Sequence, residues 1–253
     1  MRMSAGIKKA SRAIYLLPSL FTLTNLYLGY LSVVATFDGR FRTAALYIII
    51  AAMMDGLDGL VARLIKGSSD FGIQLDSLAD TVSFGLATSL LIHIWGLRPT
   101  GATMPLLSFL FLTAGVLRLA RYNIRTKSQP DRKTYQGLTV PSAAMFMASF
   151  VYAFPEPLAS RLVAFLVGLL IVLVSFFMVS TLRYPNLLGF SPRKKIDAKS
   201  VLILAVLLGG LFLYTEIVLI SFFTLNVISG PALALVRLLR KNARRRKATR
   251  QTA

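Results

Sequence analysis

The stretch MMDGLDGLVARLIKGSSDFGIQLDSLADT, residues 53–81, combines a high density of acidic residues with strongly apolar surroundings. It holds five of the ten Asp and Glu residues of the chain, between the apolar flanks YIIIAAMM (47–54) and VSFGLATSLLIHIW (82–95). A charged side chain at the centre of a lipid bilayer costs about 2.5–3.5 kcal/mol on insertion scales. Carboxylates that are retained in such a segment therefore indicate a functional site.

The rest of the chain has the hydropathy of a membrane protein. Its 253 residues are 55% hydrophobic, and the mean hydropathy is +0.67. About 20 consecutive apolar residues suffice to cross a bilayer core of about 30 Å, and apolar runs without period-two alternation favour helices over a barrel. We therefore predict an all-α, polytopic transmembrane bundle. The sequence suggests about eight spans, at residues 16–37, 43–62, 77–97, 103–122, 138–154, 158–182, 200–214 and 217–236.

The basic residues predict the orientation of these spans. The net charge is +19, and 25 of the 29 Lys and Arg residues fall in the N-terminus, in alternate connections and in the C-terminal tail. Such asymmetry is typical of the cytoplasmic side of a membrane. We expect an integral protein of a bacterial or archaeal-type cell membrane, with both termini and the acidic stretch on the cytoplasmic side.

The same composition limits the other classes of function. No cysteine is present, which excludes disulfides, thiolate metal sites and a cysteine nucleophile. The basic tail lacks interleaved aromatic residues, so we expect it to lie against anionic lipid and not to bind nucleic acid. The start of the chain does not resemble a cleavable signal peptide. We expect one domain, with a membrane core at 1–199 and two further spans plus the basic tail at 200–253.

Helical spacing predicts that four aspartates converge. Asp55 and Asp58 are three residues apart, and Asp76 and Asp80 are four apart, so each pair shares a helix face. Glycines and serines lie between the two pairs and predict a helix break. We expect two antiparallel helices, one ending near Lys66 and one starting near Leu75, whose acidic faces meet near the cytoplasmic boundary.

Four neighbouring carboxylates require compensating positive charge. Arg63 and Lys66 supply some, and a hard divalent cation, which prefers oxygen ligands, would supply more. An ion-pair network that ties two helices together is the structural alternative. We expect His93, the only histidine, to be a hydrogen-bonded residue of the bundle, and Asp70 to be a loop or cap residue.

Small residues accompany the acidic ones. Gly56, Gly59 and Ala62 recur every three residues along the second predicted span. Small residues at this spacing permit close packing of helices. They also allow a phosphorylated ligand to approach the backbone, and both interpretations remain open at this point.

The complete spacing resembles the signature of the CDP-alcohol phosphatidyltransferase family. It is Asp55-x2-Asp58-Gly59-x2-Ala62-Arg63-x8-Gly72-x3-Asp76-x3-Asp80. The resemblance implies that a CDP-linked lipid is attacked by the hydroxyl of an acceptor alcohol and that CMP leaves. It also implies that the four aspartates bind two Mg²⁺ or Mn²⁺ ions, with Asp80 as the base. By the same resemblance Gly59, Ala62, Arg63, Ser69 and Gly72 contact CDP.

Three further stretches are similar to the phosphatidylserine synthase branch of this family. In LPSLFTLTNLYLGYLS, residues 17–32, Thr24 and Asn25 are polar residues that we expect to face the bundle and, by the resemblance, to line the nucleotide end of the site. In LRLARYN, residues 117–123, Arg118 and Arg121 share a helix face and could hold the acceptor. The segment STLRYPNLLGFSPRK, residues 180–194, is expected to lie near the lipid substrate.

The branch resemblance implies CDP-diacylglycerol and L-serine as substrates, and a homodimer in the membrane. A pair of arginines alone would equally suit glycerol 3-phosphate or inositol phosphate, and choline is a further alternative. An intramembrane prenyltransferase normally carries its aspartate motifs on helices far apart in sequence, whereas here both pairs lie within 26 residues. An ion-coupled transporter is the remaining alternative; it would place its acids near the bilayer midplane.

Overall fold

The computed structural model describes residues 3–65, 70–98, 104–128, 135–184 and 215–251. Side chains at the ends of several helices, among them 3–18, 62–65 and 240–251, lie outside the description. Seven helices run through the described residues: α1 (Met3–Phe37), α2 (Phe41–Ile65), α3 (Asp70–Leu97), α4 (Met104–Ser128), α5 (Val140–Ala153), α6 (Arg161–Val179) and α7 (Thr215–Gln251).

The helices form the predicted all-α membrane bundle. Six contain stretches long and apolar enough to span a bilayer, whereas α5, with 14 residues, is shorter. The seventh predicted span, 200–214, lies outside the described residues, so the predicted number of eight is not tested. Many large apolar side chains on the outer surface are exposed, including Phe109, Phe165 and Phe176. Such a surface suits contact with lipid tails.

The core lies where α3 and α5 pass between the other helices. Helix α1 packs along α2, α4 packs against α6, and α5 lies between α2 and α7. Fully buried side chains such as Ile48, Phe84 and Phe111 fill the centre. The end of α2, the start of α3 and the end of α4 lie together at one end of the bundle, which we call the site end.

Helix α3 departs from the expected bounds and from regular geometry. It begins at Asp70, five residues before the expected start near Leu75, and Gly72 lies inside its first turn. The prediction that Gly72 breaks the helix is therefore wrong. Two π-helical segments, Thr81–Leu86 and His93–Leu97, interrupt α3. Segments of this type occur often at functional sites, and the first follows Asp80 directly.

Two loops are joined at the site end. Strand β1 (Tyr135–Gln136) pairs antiparallel with β2 (Arg183–Tyr184). Gly137 follows with φ of 79°, and a Cβ atom there would lie 3.1 Å from the Ser180 carbonyl oxygen and closer still to that of Met178. Only glycine suits this combination of positive φ and close backbone contact. Helix α5 then begins with Thr139 as N-cap, whose hydroxyl accepts a hydrogen bond from the Ser142 amide.

Candidate active site

Three aspartates of the acidic stretch meet between α2 and α3. One carboxylate oxygen from each of Asp55, Asp76 and Asp80 lies within 4.8 Å of the other two. Asp80 is buried, and Asp55 and Asp76 are half-buried. The two helices bring them together because Asp55 lies ten residues before the end of α2, while Asp76 and Asp80 lie on successive turns of α3. The predicted convergence of the acidic faces is therefore observed.

Asp58 lies beside this cluster and has a different partner. It is buried, and its Oδ2 accepts a hydrogen bond of 2.8 Å from the hydroxyl of Thr22 on α1. Its charge acts on Asp55, Asp76 and Asp80, so it belongs to the same electrostatic unit. Within the described part of the chain, however, it is not among the three carboxylates that could share one ion.

Positive charge near the cluster comes from α4. Arg118 is buried, lies 5.7 Å from the centre of the Tyr122 ring and acts electrostatically on Asp55. Within the described residues, none of the four aspartates forms an ion pair. The side chain of Arg63 and the whole of Lys66 lie outside the described residues, so the alternative of an ion-pair network is not tested.

The donor set fits a hard divalent cation. All the candidate ligand atoms are carboxylate oxygens, the type that Mg²⁺ and Mn²⁺ prefer. Opposite ligands of one Mg²⁺ ion lie about 4 Å apart, so oxygens within 4.8 Å of one another need only small shifts to share an ion. The Oδ1 atom of Asp76 is also buried without a hydrogen-bond partner among the described residues. An unsatisfied buried carboxylate oxygen is costly unless a ligand binds it.

The two arginines of α4 have different surroundings. The Nη1 and Nη2 atoms of Arg121 donate hydrogen bonds of 2.8 and 3.0 Å to the carbonyl oxygens of Val179 and Ser180. These carbonyls are at the C-terminal end of α6, where a guanidinium is favoured by the helix dipole. Arg121 thus connects α4 to α6, whereas Arg118 acts electrostatically on Asp55.

The two polar residues expected on the first span also differ. Asn25 is fully buried, and its Nδ2 donates a hydrogen bond of 3.2 Å to Oδ1 of Asp80. Thr24 is exposed, and its hydroxyl donates to the Leu20 carbonyl in its own helix. The expectation that Thr24 faces the bundle is therefore wrong, because Thr24 lies on the opposite side of α1 from the face that packs on α2 and α3.

Other predicted residues are placed as follows. Gly59 is half-buried on α2, and a Cβ atom at Gly56 would have no atom of the described residues within 4 Å. Among the described residues, Gly56 therefore does not mediate close helix packing. The side chains of Ala62 and Arg63, and the whole of Ser69, lie outside the described residues.

Asp70 and His93 lie away from the aspartate cluster. Asp70 is exposed in the first turn of α3, in agreement with a cap position. The Nδ1 atom of His93 is buried without a hydrogen-bond partner in the described part of the chain. The prediction of a hydrogen-bonded bundle residue is wrong for this nitrogen.

Two polar residues near the site were not identified from the sequence. Thr22 binds Asp58, and its position three residues before Asn25, on the same helix face, was the available signal. The Nδ2 atom of Asn123, at the end of the LRLARYN stretch, donates a 2.8 Å hydrogen bond to the Ser77 hydroxyl, next to Asp76. No spacing within α4 alone predicts this contact, because it joins two helices.

The fold and this site define an integral membrane protein with a buried carboxylate cluster suited to a divalent cation. The chain belongs to the CDP-alcohol phosphatidyltransferase family, whose model matches residues 15–180. It is 35% identical to the CDP-diacylglycerol–serine O-phosphatidyltransferase of Helicobacter pylori over 222 residues, which cover 86% of this chain and 90% of that protein. The corresponding enzyme of Bacillus subtilis is 30% identical over 67% of this chain and 90% of its own length. The archaetidylserine synthase of Methanothermobacter thermautotrophicus is 33% identical over 68% of this chain and 71% of its own length.

Proposed function

We propose that this protein transfers the phosphatidyl group of CDP-diacylglycerol to the hydroxyl of L-serine, forming phosphatidylserine and releasing CMP. The observation that carries the proposal is the convergence of Asp55, Asp76 and Asp80, three aspartates of the family motif, on one buried site. The similarity of most of the chain to serine-transferring relatives selects the acceptor. An acceptor with a phosphate in place of the carboxylate is the alternative that the arginines of α4 alone would allow.

We propose that the site holds two divalent cations, Mg²⁺ or Mn²⁺, and that their ligands are Asp55, Asp58, Asp76 and Asp80. When bound, such ions neutralise the charge that develops on the pyrophosphate and on the leaving CMP. The protein contributes by fixing the carboxylates at a boundary where water is partly excluded and electrostatic interactions are strong.

The transfer itself requires removal of one proton. The oxygen of the serine hydroxyl forms a new bond to the phosphorus that carries diacylglycerol, and the bond from that phosphorus to the CMP oxygen breaks. The hydroxyl proton passes to the carboxylate of Asp80, which we propose as the general base. Asp80 suits this role because it is buried and held by Asn25, and help from a positioned base is typically worth about 10²–10⁴ in rate.

The substrates are proposed to bind on either side of the aspartates. On the α2 side, Gly59, Ala62 and Arg63, together with Ser69 and Gly72, are the proposed CDP contacts, and the open space at Gly56 is compatible with a ligand near the backbone. On the α4 side, Arg118 is the proposed partner of the serine carboxylate. Arg121 donates one hydrogen bond from each of Nη1 and Nη2 to carbonyls at the end of α6, so we assign Arg121 to holding α4 in position.

We further propose that the site end faces the cytoplasm and that the protein is a homodimer. The orientation rests on the distribution of Lys and Arg, 25 of 29 of which fall in regions assigned to that side. This orientation gives soluble serine access to the site. The dimer rests on the family resemblance.

A panel of acceptors tests the proposal. The purified protein in detergent, with CDP-diacylglycerol and Mg²⁺ or Mn²⁺, receives L-serine, glycerol 3-phosphate, inositol phosphate or choline in separate reactions, and CMP release is measured. We expect release with serine only, and none from the Asp55→Asn variant. Release with another alcohol but not with serine would reassign the acceptor, and no release with any of them would refute the proposed reaction class.

A further inference from the structure

A pair of neutral hydrogen-bond donors on α1 contacts two aspartates that belong to two different helices. Thr22 and Asn25 are three residues apart, on one face of α1, and both are buried. The Thr22 hydroxyl donates to Asp58 on α2, at 2.8 Å, and the Asn25 amide donates to Asp80 on α3, at 3.2 Å. One short segment of α1 therefore contacts both halves of the acidic motif.

We propose that Thr22 and Asn25 are positioning residues that orient Asp58 and Asp80 for binding of the cation, a proposal that rests on the metal site of the proposed function. A neutral donor stabilises the ionised carboxylate and restrains its rotation without adding a positive charge that would compete with the cation. Partners of this kind typically contribute 10–100-fold to metal affinity or activity. Because Thr22 and Asn25 are neutral, they leave the negative charge of the cluster available to the ion, whereas the positive charge of Arg118 offsets part of it.

The surroundings hold Asn25 in a fixed position. The Ser83 hydroxyl, in the first π-helical segment of α3, donates a 2.9 Å hydrogen bond to the main-chain oxygen of Asn25. One turn further along α1, Gly29 lets the helices approach so closely that a Cβ atom there would lie 2.6 Å from the Ser83 Cα. The side chain of Asn25 thus projects from a backbone that is attached to the same helix as Asp80.

Asn25 also retains an unused acceptor at the site. Its Oδ1 is buried and has no hydrogen-bond partner among the described residues. Mg²⁺ usually keeps several of its water ligands in proteins, and such waters need acceptors for their hydrogens. The Asn25 amide can donate to the Asp80 carboxylate through its nitrogen and accept a hydrogen bond from a metal-bound water through its oxygen. If Asn25 only held two helices together, this oxygen would remain unsatisfied.

The competing explanation is that both hydrogen bonds only hold helices together. Hydrogen bonds between membrane helices stabilise a bundle modestly. Loss of such a tie would lower the melting temperature but leave cation affinity unchanged. The two explanations therefore differ in a measurement that does not require turnover.

The experiment measures binding of Mn²⁺ to the purified full chain in detergent by electron paramagnetic resonance. Thr22→Val keeps the shape of the side chain and removes the hydroxyl, Thr22→Ser restores it, and Asn25→Leu removes the amide. Thr36→Val is the matched control, because Thr36 is buried on the same helix and its hydroxyl donates only to the Ser32 carbonyl, far from the site. Melting temperatures are recorded for all variants.

We expect Thr22→Val and Asn25→Leu to bind Mn²⁺ about 10–100-fold more weakly than the unaltered protein, and Thr22→Ser and Thr36→Val to bind within about threefold of it. In turnover assays we expect Asn25→Leu to lower kcat with little change in KM for CDP-diacylglycerol. Unchanged Mn²⁺ affinity in both donor-deleted variants would overturn the proposal in favour of a helix tie. A raised KM with normal kcat in Asn25→Leu would overturn it in favour of a nucleotide contact.

Failure of the proposed function would give a different result. Asp55→Asn should abolish the Mn²⁺ signal at the cluster if the aspartates hold the ion. If Asp55→Asn binds Mn²⁺ as the unaltered protein does, the metal site itself is refuted. If a donor-deleted variant does not fold, comparison of Thr22→Ser with a Thr22→Ala variant provides the same contrast.

Discussion

Substitution of Gly29 by alanine should disturb the site although Gly29 contacts no aspartate. The added Cβ atom would lie 2.6 Å from the Ser83 Cα and 2.8 Å from its Cβ. Ordinary contacts begin at about 3.4 Å, so α1 and α3 would have to separate by about 0.8 Å at this crossing. The obstacle is backbone, which cannot rotate away as the end of a side chain can.

The expected cost follows from this displacement. Overpacking of a close contact typically costs about 1–3 kcal/mol. The Asn25–Asp80 hydrogen bond is already 3.2 Å long, and a further 0.8 Å along the same direction would break it. Misplacement of a catalytic group by about 1 Å can lower the rate by about 10²-fold. We expect a turnover about 10–100-fold below that of the unaltered protein, together with a lower melting temperature.

The assay compares Gly29→Ala with Gly56→Ala in the same detergent. Both add one methyl group to a helix, but at Gly56 no atom of the part of the chain that the structure describes lies within 4 Å of the new Cβ. Alanine is favoured over glycine in helices by about 0.5–1 kcal/mol, so the melting temperature of Gly56→Ala should stay equal or rise. CMP release with serine is then measured for Gly29→Ala. Full turnover and an unchanged melting temperature in that variant would refute the close approach of α1 and α3.

The remaining predictions concern the base, the arginines and the loop at the site end. Asp80→Asn should keep the fold and lower CMP release about 10²-fold or more; normal release would remove the base assignment. Arg118→Ala should raise KM for serine more than KM for the CDP-lipid. Arg121→Ala should mainly lower the melting temperature, because it loses two hydrogen bonds to α6. The reverse pattern would exchange the roles of the two arginines. Burial raises the pKa of Tyr184 from 10.0 to about 12. The neutral phenol is thus favoured in the folded protein, so the stability of the fold should decrease as pH rises from about 10 to 12. Melting scans across this range should show a smaller decrease for Tyr184→Phe than for the unaltered protein. Equal decreases in both proteins would contradict the prediction.

The general architecture and the acidic site follow from local patterns in the sequence. The length of each apolar run sets the membrane spans, because the bilayer has a fixed thickness. The spacing of Asp55 and Asp58, and of Asp76 and Asp80, sets their shared faces, because a helix repeats every 3.6 residues. Both inferences depend only on residues close in the chain. The structure agrees with the shared faces, and six of the described helices are long and apolar enough to span a bilayer.

Contacts between helices could not be predicted in the same way. Thr22, and not Thr24, meets an aspartate, because the rotation of α1 about its axis depends on how it packs against α2 and α3. The segment around Tyr184 was expected near the lipid substrate, a role that no contact tests. Its ring packs on Gly230 of α7, where a Cβ atom would lie 2.6 Å from the ring carbons Cε1 and Cε2 and closer still to Cζ. This contact connects the loop to a helix that carried no recognisable signal in the sequence.

The sequence by itself thus determined the class of fold and the helix faces on which the clustered aspartates lie, since these depend on periodicity and on the cost of charge in lipid. Only the tertiary structure decided which neutral donors form hydrogen bonds with those aspartates, and which of the two α4 arginines acts electrostatically on them. These features depend on the relative rotation and separation of helices distant in sequence. Rotation and separation result from the simultaneous packing of all the side chains between the helices, and no single stretch of sequence encodes them.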